Sequence, residues 1–113
     1  MKPYILNLEL GMPPVEFARK KLHQGLRTAR ASGCRVVKVI HGYGSSGKGG
    51  AIRADALKVL AEKKRLGQIR AFVPGEDFSV FSSDTRTMLE LCPELRHDLD
   101  LTRQNHGITM VLL

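Results

Sequence analysis

Val36-Val37-Lys38-Val39-Ile40-His41-Gly42-Tyr43-Gly44-Ser45-Ser46-Gly47-Lys48-Gly49-Gly50-Ala51-Ile52-Arg53 is the stretch whose reading decides the fold. The run from Val36 to Ile40 is β-branched at four of its five positions, the composition of a strand inside an α/β sheet. It stops at a histidine, and five glycines follow between positions 42 and 50 with one tyrosine and one lysine. A helical pattern then runs from about Ala51 to Leu66, with Ile52, Ala56, Val59 and Leu60 on one face. Glycines let backbone N–H groups turn outward and a ligand approach the main chain. The helix start behind them adds unpaired donors and a partial positive charge. Such a junction suits an anion, a phosphate above all, although a glycine loop also serves as a plain connector.

The same logic extends in both directions. Residues 4–10 alternate well enough for a first strand, with Tyr4, Leu6, Leu8 and Leu10 on one face. Gly11 to Pro14 breaks it, and the prolines suit a helix entry. The first helix runs from about Val15 to Ser32 on a buried stripe of Val15, Ala18, Leu22, Leu26 and Ala29, bordered by a second stripe of Arg19, His23, Arg27 and Arg30. Gly33 caps it. Gly67 closes the second helix, whose last-turn cations Lys63, Lys64 and Arg65 are accounted for by the helix dipole. Ile69 to Val73 is a third strand, stopped by Pro74-Gly75. Residues 76–106 are too long for a bare connector. Ser82 to Asp84 can cap a short helix with Met88, Leu89 and Leu91, and Leu95, Leu99 and Leu101 suggest a second amphipathic piece. Gly107 to Leu113 is a last strand. The order β-α-β-α-β, helical excursion, β predicts an α/β domain with a mixed, mostly parallel four-stranded sheet.

Bulk composition agrees. The 113 residues suffice for one domain with one core, and 42% hydrophobic and 26% charged residues are ordinary globular values. The expected organisation is a single domain over 1–113 with an atypical acidic helical insertion at about 76–106. No apolar run reaches membrane-span length, and Asn7 and Glu9 interrupt what would otherwise resemble a signal peptide. Cys34 and Cys92 are far apart, most simply core thiols of a reducing cytoplasm. The expected location is therefore cytoplasmic. With four scattered histidines and no Cys/His cluster, a zinc site is not expected. The net charge of +7 is uneven. Residues 1–75 carry fifteen Lys or Arg against four acids, net +11, and residues 76–113 carry three against seven, net −4. A basic body points to polyanion partners.

Gly42 to Lys48 satisfies the spacing of a nucleotide-binding P-loop up to its lysine, but Gly49 stands where a Ser or Thr would bind magnesium. Nucleotide hydrolysis is therefore disfavoured. A different resemblance fits better. Val36 to Gly44, the glycines and Ile52-Arg53 resemble the central His-Gly-x-Gly motif of the Smr (small MutS-related) domain, and Gly107-Ile-Thr-Met-Val-Leu112 resembles that family's closing Gly-x-Thr-x-Val-x-Leu strand. The resemblance covers residues 4–74 and 107–113.

The resemblance implies a two-layer α/β sandwich, similar to the C-terminal domain of bacterial translation initiation factor three. It also implies binding to DNA or RNA and, in several members, metal-aided endonuclease cleavage. The family's first-strand Leu-Asp-Leu-His-Gly falls on Leu8-Glu9-Leu10-Gly11-Met12, so Glu9 replaces the Asp and Gly11 the His. A one-residue shift puts Asn7 and Glu9 there instead. The acid–histidine pair is absent either way.

The candidate residues follow from these two lines of reading. Nucleic-acid contacts are expected from His41, Gly42, Tyr43, Gly44, Gly47, Lys48, Gly49 and Arg53, with Arg19, Arg27 and Arg30 on the first helix. Lys48 and Arg53 flank the helix start and are the foremost phosphate contacts; Tyr43 can stack on a base or sugar. With no tryptophan, two tyrosines and four phenylalanines, binding directed by backbone and shape is expected rather than sequence reading. Glu9 and His41 are the catalytic candidates: Glu9 as a base or magnesium ligand, His41 as a proton donor or phosphate ligand, each equally readable as structural. No resident cofactor is expected; a nuclease would use magnesium or manganese. The main reading is a domain that binds DNA or RNA through the phosphate backbone, with no membrane partner. The alternatives are a metal-dependent nicking endonuclease on branched DNA or on RNA, and a protein-interaction module built on the acidic insertion.

Overall fold

Strand and helix alternate from Tyr4 to Pro74 in the computed structural model, which describes residues 2–43 and 48–113 and, of Lys48 and Gly49, the backbone alone. The elements are β1 (Tyr4–Asn7), α1 (Val15–Ala31), β2 (Val36–Ile40), α2 (Lys48–Arg65), β3 (Ala71–Pro74), α3 (Ser83–Leu91) and β4 (Ile108–Leu112). Local chemistry sets the boundaries. The Asn7 side-chain oxygen accepts the N–H groups of Glu9 and Leu10, at 3.0 and 3.1 Å, and so turns the chain away from the ladder. The first strand thus ends three residues before Leu10, which is 73% exposed rather than inward. Helices α1 and α2 both end in the same backbone motif, with Gly33 and Gly67 at φ +80° and +74° and with Cys34 and Gln68 donating back to Ala29 and Lys63. Helix α2 begins at Lys48, three residues ahead of the apolar pattern, and the third strand at Ala71, two residues later than its pattern suggests.

The sheet order is β1-β2-β4-β3. Strands β1 and β2 are parallel, while β4 is antiparallel to both β2 and β3. Three of four strands therefore run one way, as expected, yet two of the three ladders are antiparallel because β4 enters between β2 and β3. Its five residues are all buried, the signature of a strand with neighbours on both edges and cover on both faces.

One sheet face carries Leu6, Val37, Val39 and Val111 against Leu22, Leu26 and Ala29 of α1 and Ile52, Ala56 and Leu60 of α2. This is the sandwich the helical stripes predict. The opposite face carries Val36, Ala71, Val73, Met110 and Leu112, and it is covered by Phe78, Met88, Leu89 and Leu95. Residues 76–106 thus add a third, partial layer to the two that were expected. Ser82 caps α3 by accepting the Thr85 N–H at 3.2 Å. The second amphipathic piece is a 3-10 turn, Pro93–His97, with Leu95 buried and Leu99 left 80% exposed beyond it. Cys34 and Cys92 pack against opposite cores.

A charge sits inside this second core. Lys38, in the middle of β2 and 9% exposed, extends its Nζ to Asp98 Oδ1 at 2.7 Å and Asp100 Oδ2 at 2.5 Å. Asp100 also accepts from Asn105 Nδ2 at 2.8 Å, and Asp98 accepts the Asp100 N–H at 2.8 Å. Burial opposes the charge on Lys38, but the hydrogen bonds to Asp100 and Asp98 outweigh it and raise its pKa. Burial likewise opposes the charge on Asp100, yet Lys38 and Asn105 hold its carboxyl below the usual range. Among the described residues no helix is long and apolar enough to cross a membrane.

Candidate nucleic-acid interface

At the C-terminal edge of β1 and β2 the chain makes two turns side by side, one after Asn7 and one after Ile40. They bring Glu9 against Gly42. A Cβ built on Gly42 would lie 2.2 Å from Glu9 Oε2, and Gly42 has φ +70°, so only glycine lets the carboxylate sit there. The His41 and Gly42 N–H groups both donate to the Gly107 carbonyl, at 3.0 Å each. Tyr43 is 63% exposed, and its ring edge lies over Gly107, where a Cβ would come within 3.3 Å of Tyr43 Cδ1. Two predicted site elements, the first-strand acid and the start of the glycine loop, are therefore adjacent.

His41 points inward. It is fully buried, its Nε2 is 2.8 Å from Thr109 Oγ1, and its Nδ1 is 2.7 Å from the Gly42 carbonyl. Both ring nitrogens are occupied internally, so this side chain ties β2 to β4 rather than facing a phosphate or a reacting bond. Burial depresses its pKa, against the opposing effect of the Gly42 carbonyl. The folded protein holds a neutral ring while the unfolded chain protonates near pH 6.5. Stability from this site is complete above about pH 6.5 and is lost progressively as pH drops toward the lower folded value. Urea midpoints measured above and below that pH should fall on acidification in the wild type, and less in His41→Asn; an equal fall in both would contradict the assignment.

Arg53 is also engaged. Its Nε donates to the His106 carbonyl at 3.1 Å and its guanidinium to Glu76 Oε2 at 2.7 Å. His106 Nδ1 is 3.4 Å from the same carboxylate oxygen, and Glu76 Oε1 is buried with no hydrogen-bond partner among the described residues. Glu76 and His106 were not singled out from the sequence. They lie just beyond β3 and just before β4, and only the pairing of Pro74 with Thr109 brings them together. The sequence carries no signal of that pairing.

The remaining expected contacts divide. Gly44 and Gly47 lie outside the described residues, as does the side chain of Lys48; the backbones of Lys48 and Gly49 form the first turn of α2. Arg19 is paired with Asp55 of α2 at 2.8 Å, the cause of its raised pKa. Arg27 and Arg30 are at the other end of the molecule. They line a groove of about 280 Å³ with His23, Lys63 and Gln68. Fifteen residues of helix separate Lys48 from Lys63, about 22 Å at 1.5 Å per residue.

A divalent ion at Glu9 would find one carboxylate. Among the described residues no three His, Cys, Asp or Glu side chains converge; His41 is spent on Thr109 and Gly42, and His106 sits beside Glu76. The donor set does not fit a resident metal, which needs several hard ligands held together.

The chain is similar in fold to the Smr domain of MutS2 from Thermus thermophilus, with a TM-score of 0.56 and 23% identity, over 100% of this chain and 98% of that one. No match is found among curated proteins. The pattern of the Smr domain matches residues 8–113, the segment 76–106 included. On that match, the chain belongs to the Smr domain family.

Proposed function

We propose that this domain binds DNA or RNA through the phosphate backbone, at the edge where the glycine loop enters α2. The observation that supports it most is electrostatic: the first turn of α2 carries a lysine and no acid, directly behind the loop, on a body of net charge +11. A helix start with this composition keeps its positive end uncompensated and available to an anion. Exposed Tyr43 beside it offers a face for a base or sugar. The scarcity of aromatic residues argues for contacts to backbone and shape rather than to base edges.

Affinity should fall steeply with salt, because each neutralised phosphate releases counterions. Lys48→Ala should weaken binding about tenfold, near the 1.4 kcal/mol of one good charged contact. The salt slope should drop by about one, equally for all sequences. Arg53→Ala should weaken it less, since that guanidinium already serves Glu76 and His106. Fluorescence anisotropy with labelled DNA and RNA of several sequences, across a potassium chloride series, measures all of this. Salt-independent binding, or loss confined to one sequence, would overturn the reading. The nuclease alternative rests on Glu9 at the loop; incubating labelled substrates with magnesium or manganese tests it, and only cutting abolished by Glu9→Ala would support it.

A further inference from the structure

We infer that the groove between the C-terminal ends of α1 and α2, built by His23, Arg27, Arg30, Lys63 and Gln68, is a second phosphate site, which a nucleic-acid backbone occupies together with the glycine-loop edge. The inference rests on the reading above and adds a place, a set of residues and a length requirement to it.

Two acids face outward near this seam, and both are already taken. Asp55 is held by Arg19 and Glu62 by Arg65. The groove itself is lined by no carboxylate. Among the described residues, no ion pair reaches Arg27, Arg30 or Lys63. Arg30 donates to the Gln68 carbonyl, and Lys63 Nζ lies 3.4 Å from Gln68 Oε1, so these neutral groups orient the cations without cancelling them. Lys63 is half-buried, and its pKa is depressed by burial and then by Arg27 and Arg30. His23 is depressed by burial, then by Lys63, Arg27 and Arg19. Like charges gathered in a partly desolvated groove repel one another. An anion that enters relieves that repulsion, which is how a phosphate site differs from a solvated basic face. Simple dipole complementarity accounts for Lys63 at a helix end but not for its convergence with two arginines from the neighbouring helix.

The separation sets the ligand. About 22 Å lies between the two sites, and a DNA strand carries a phosphate every 3.4 Å of axis. A backbone must therefore run for about six or seven base pairs to touch both. Shorter ligands reach one site at a time, whereas longer ones gain the effective concentration of a tethered second contact.

The test compares fluorescein-labelled DNA hairpins with duplex stems of about 5 and about 20 base pairs, either side of that span, each closed by the same loop so that the short stem stays paired, on the full chain. Wild type should bind the long duplex at least tenfold more tightly than the short one. The double variant Arg27→Gln/Lys63→Gln should lose that advantage, with a salt slope lower by about two. The charge-keeping pair Arg27→Lys/Lys63→Arg should restore it. The thermal midpoint of Lys63→Gln without DNA should not fall, because the residue it replaces is repelled by its neighbours. If the glutamine double variant binds the long duplex as wild type does while Lys48→Ala weakens binding, the groove assignment fails and the loop reading survives. A lower midpoint for Lys63→Gln, with no rescue by the charge-keeping pair, would make these residues structural and also overturn it. Absence of binding by wild type to either duplex sinks both readings.

Discussion

Lys38→Ala is expected to lower the unfolding free energy by about 3 kcal/mol, the low end of what breaking a buried pair from one side costs. Lys38 is the only cation in the second core cluster's face of β2, and Asp98 and Asp100 both turn toward it. Alanine would leave two carboxylates with 13% and 19% of their side chains exposed and without their paired ammonium, with only the weaker attraction of Arg103 still acting on Asp100. They belong to the chain that covers the sheet, so the loss should loosen that cover as well as remove an interaction. Lys38→Met, which keeps the stem, should be nearly as damaging because the carboxylates remain. Adding Asp98→Asn and Asp100→Asn to Lys38→Met should recover part of the loss.

The sign of the pH dependence follows. The lowered pKa of Asp100 contributes stability present above the ordinary carboxylate value, about 3.9, and lost as pH falls through the folded one. The raised pKa of Lys38 contributes stability present below about 10.4 and lost as pH rises through the folded value. The chain has no tryptophan, so urea unfolding followed by far-ultraviolet circular dichroism is the suitable measurement. A Lys38→Ala protein as stable as wild type would mean that the two aspartates reach water or another cation.

Gly75→Ala is expected to destabilise by about 3 kcal/mol, the upper part of the range for overpacking a filled core. A Cβ at Gly75 would stand 1.9 Å from the Asn105 carbonyl oxygen and 2.8 Å from both the Ile108 carbonyl oxygen and Ile108 Cγ1. Both carbonyl oxygens are backbone, which a rotamer change cannot move. The strain should be relieved by displacing residues 105–107, and Gly107 is where His41, Gly42 and Tyr43 rest. The variant should therefore lose nucleic-acid affinity beyond its loss of stability, measured below its unfolding midpoint. Gly25→Ala is a useful contrast: the three atoms nearest its Cβ would all belong to the Leu6 side chain, from 2.5 Å. That flexible neighbour can turn away, and the site edge should keep its shape. Equal stability of Gly75→Ala and wild type would refute the backbone contact.

The acidic segment reads differently once its contacts are known. Asp98 and Asp100 neutralise Lys38, and Glu76 neutralises Arg53. Three of its seven acids are thus directed at the chain's own basic residues, and Phe78, Met88, Leu89 and Leu95 bury the second sheet face. Excising residues 78–104 would expose Val36, Val73 and Met110 to water, so point substitutions of its outward acids are the proper probe of any partner.

Periodicity determined the two long helices, because each repeats one pattern for long enough to outweigh local ambiguity, and β-branched composition bounded by glycines determined the buried strand at Val36–Ile40 and the closing strand. The adjacency of Glu9 to the loop was half-legible: both lie at strand ends, but their contact needs the parallel register of β1 on β2. Other features were decided by tertiary structure. No local pattern says that β4 enters between β2 and β3, and that pairing is what sets Glu76 and His106 beside Arg53. The burial of His41 depends on Thr109, sixty-eight positions away. Lys63 looked like a dipole partner until α1 placed Arg27 and Arg30 against it. Hydrophobic spacing is written in neighbouring residues, whereas the neutralisation of a charge depends on which distant side chain folding brings to it.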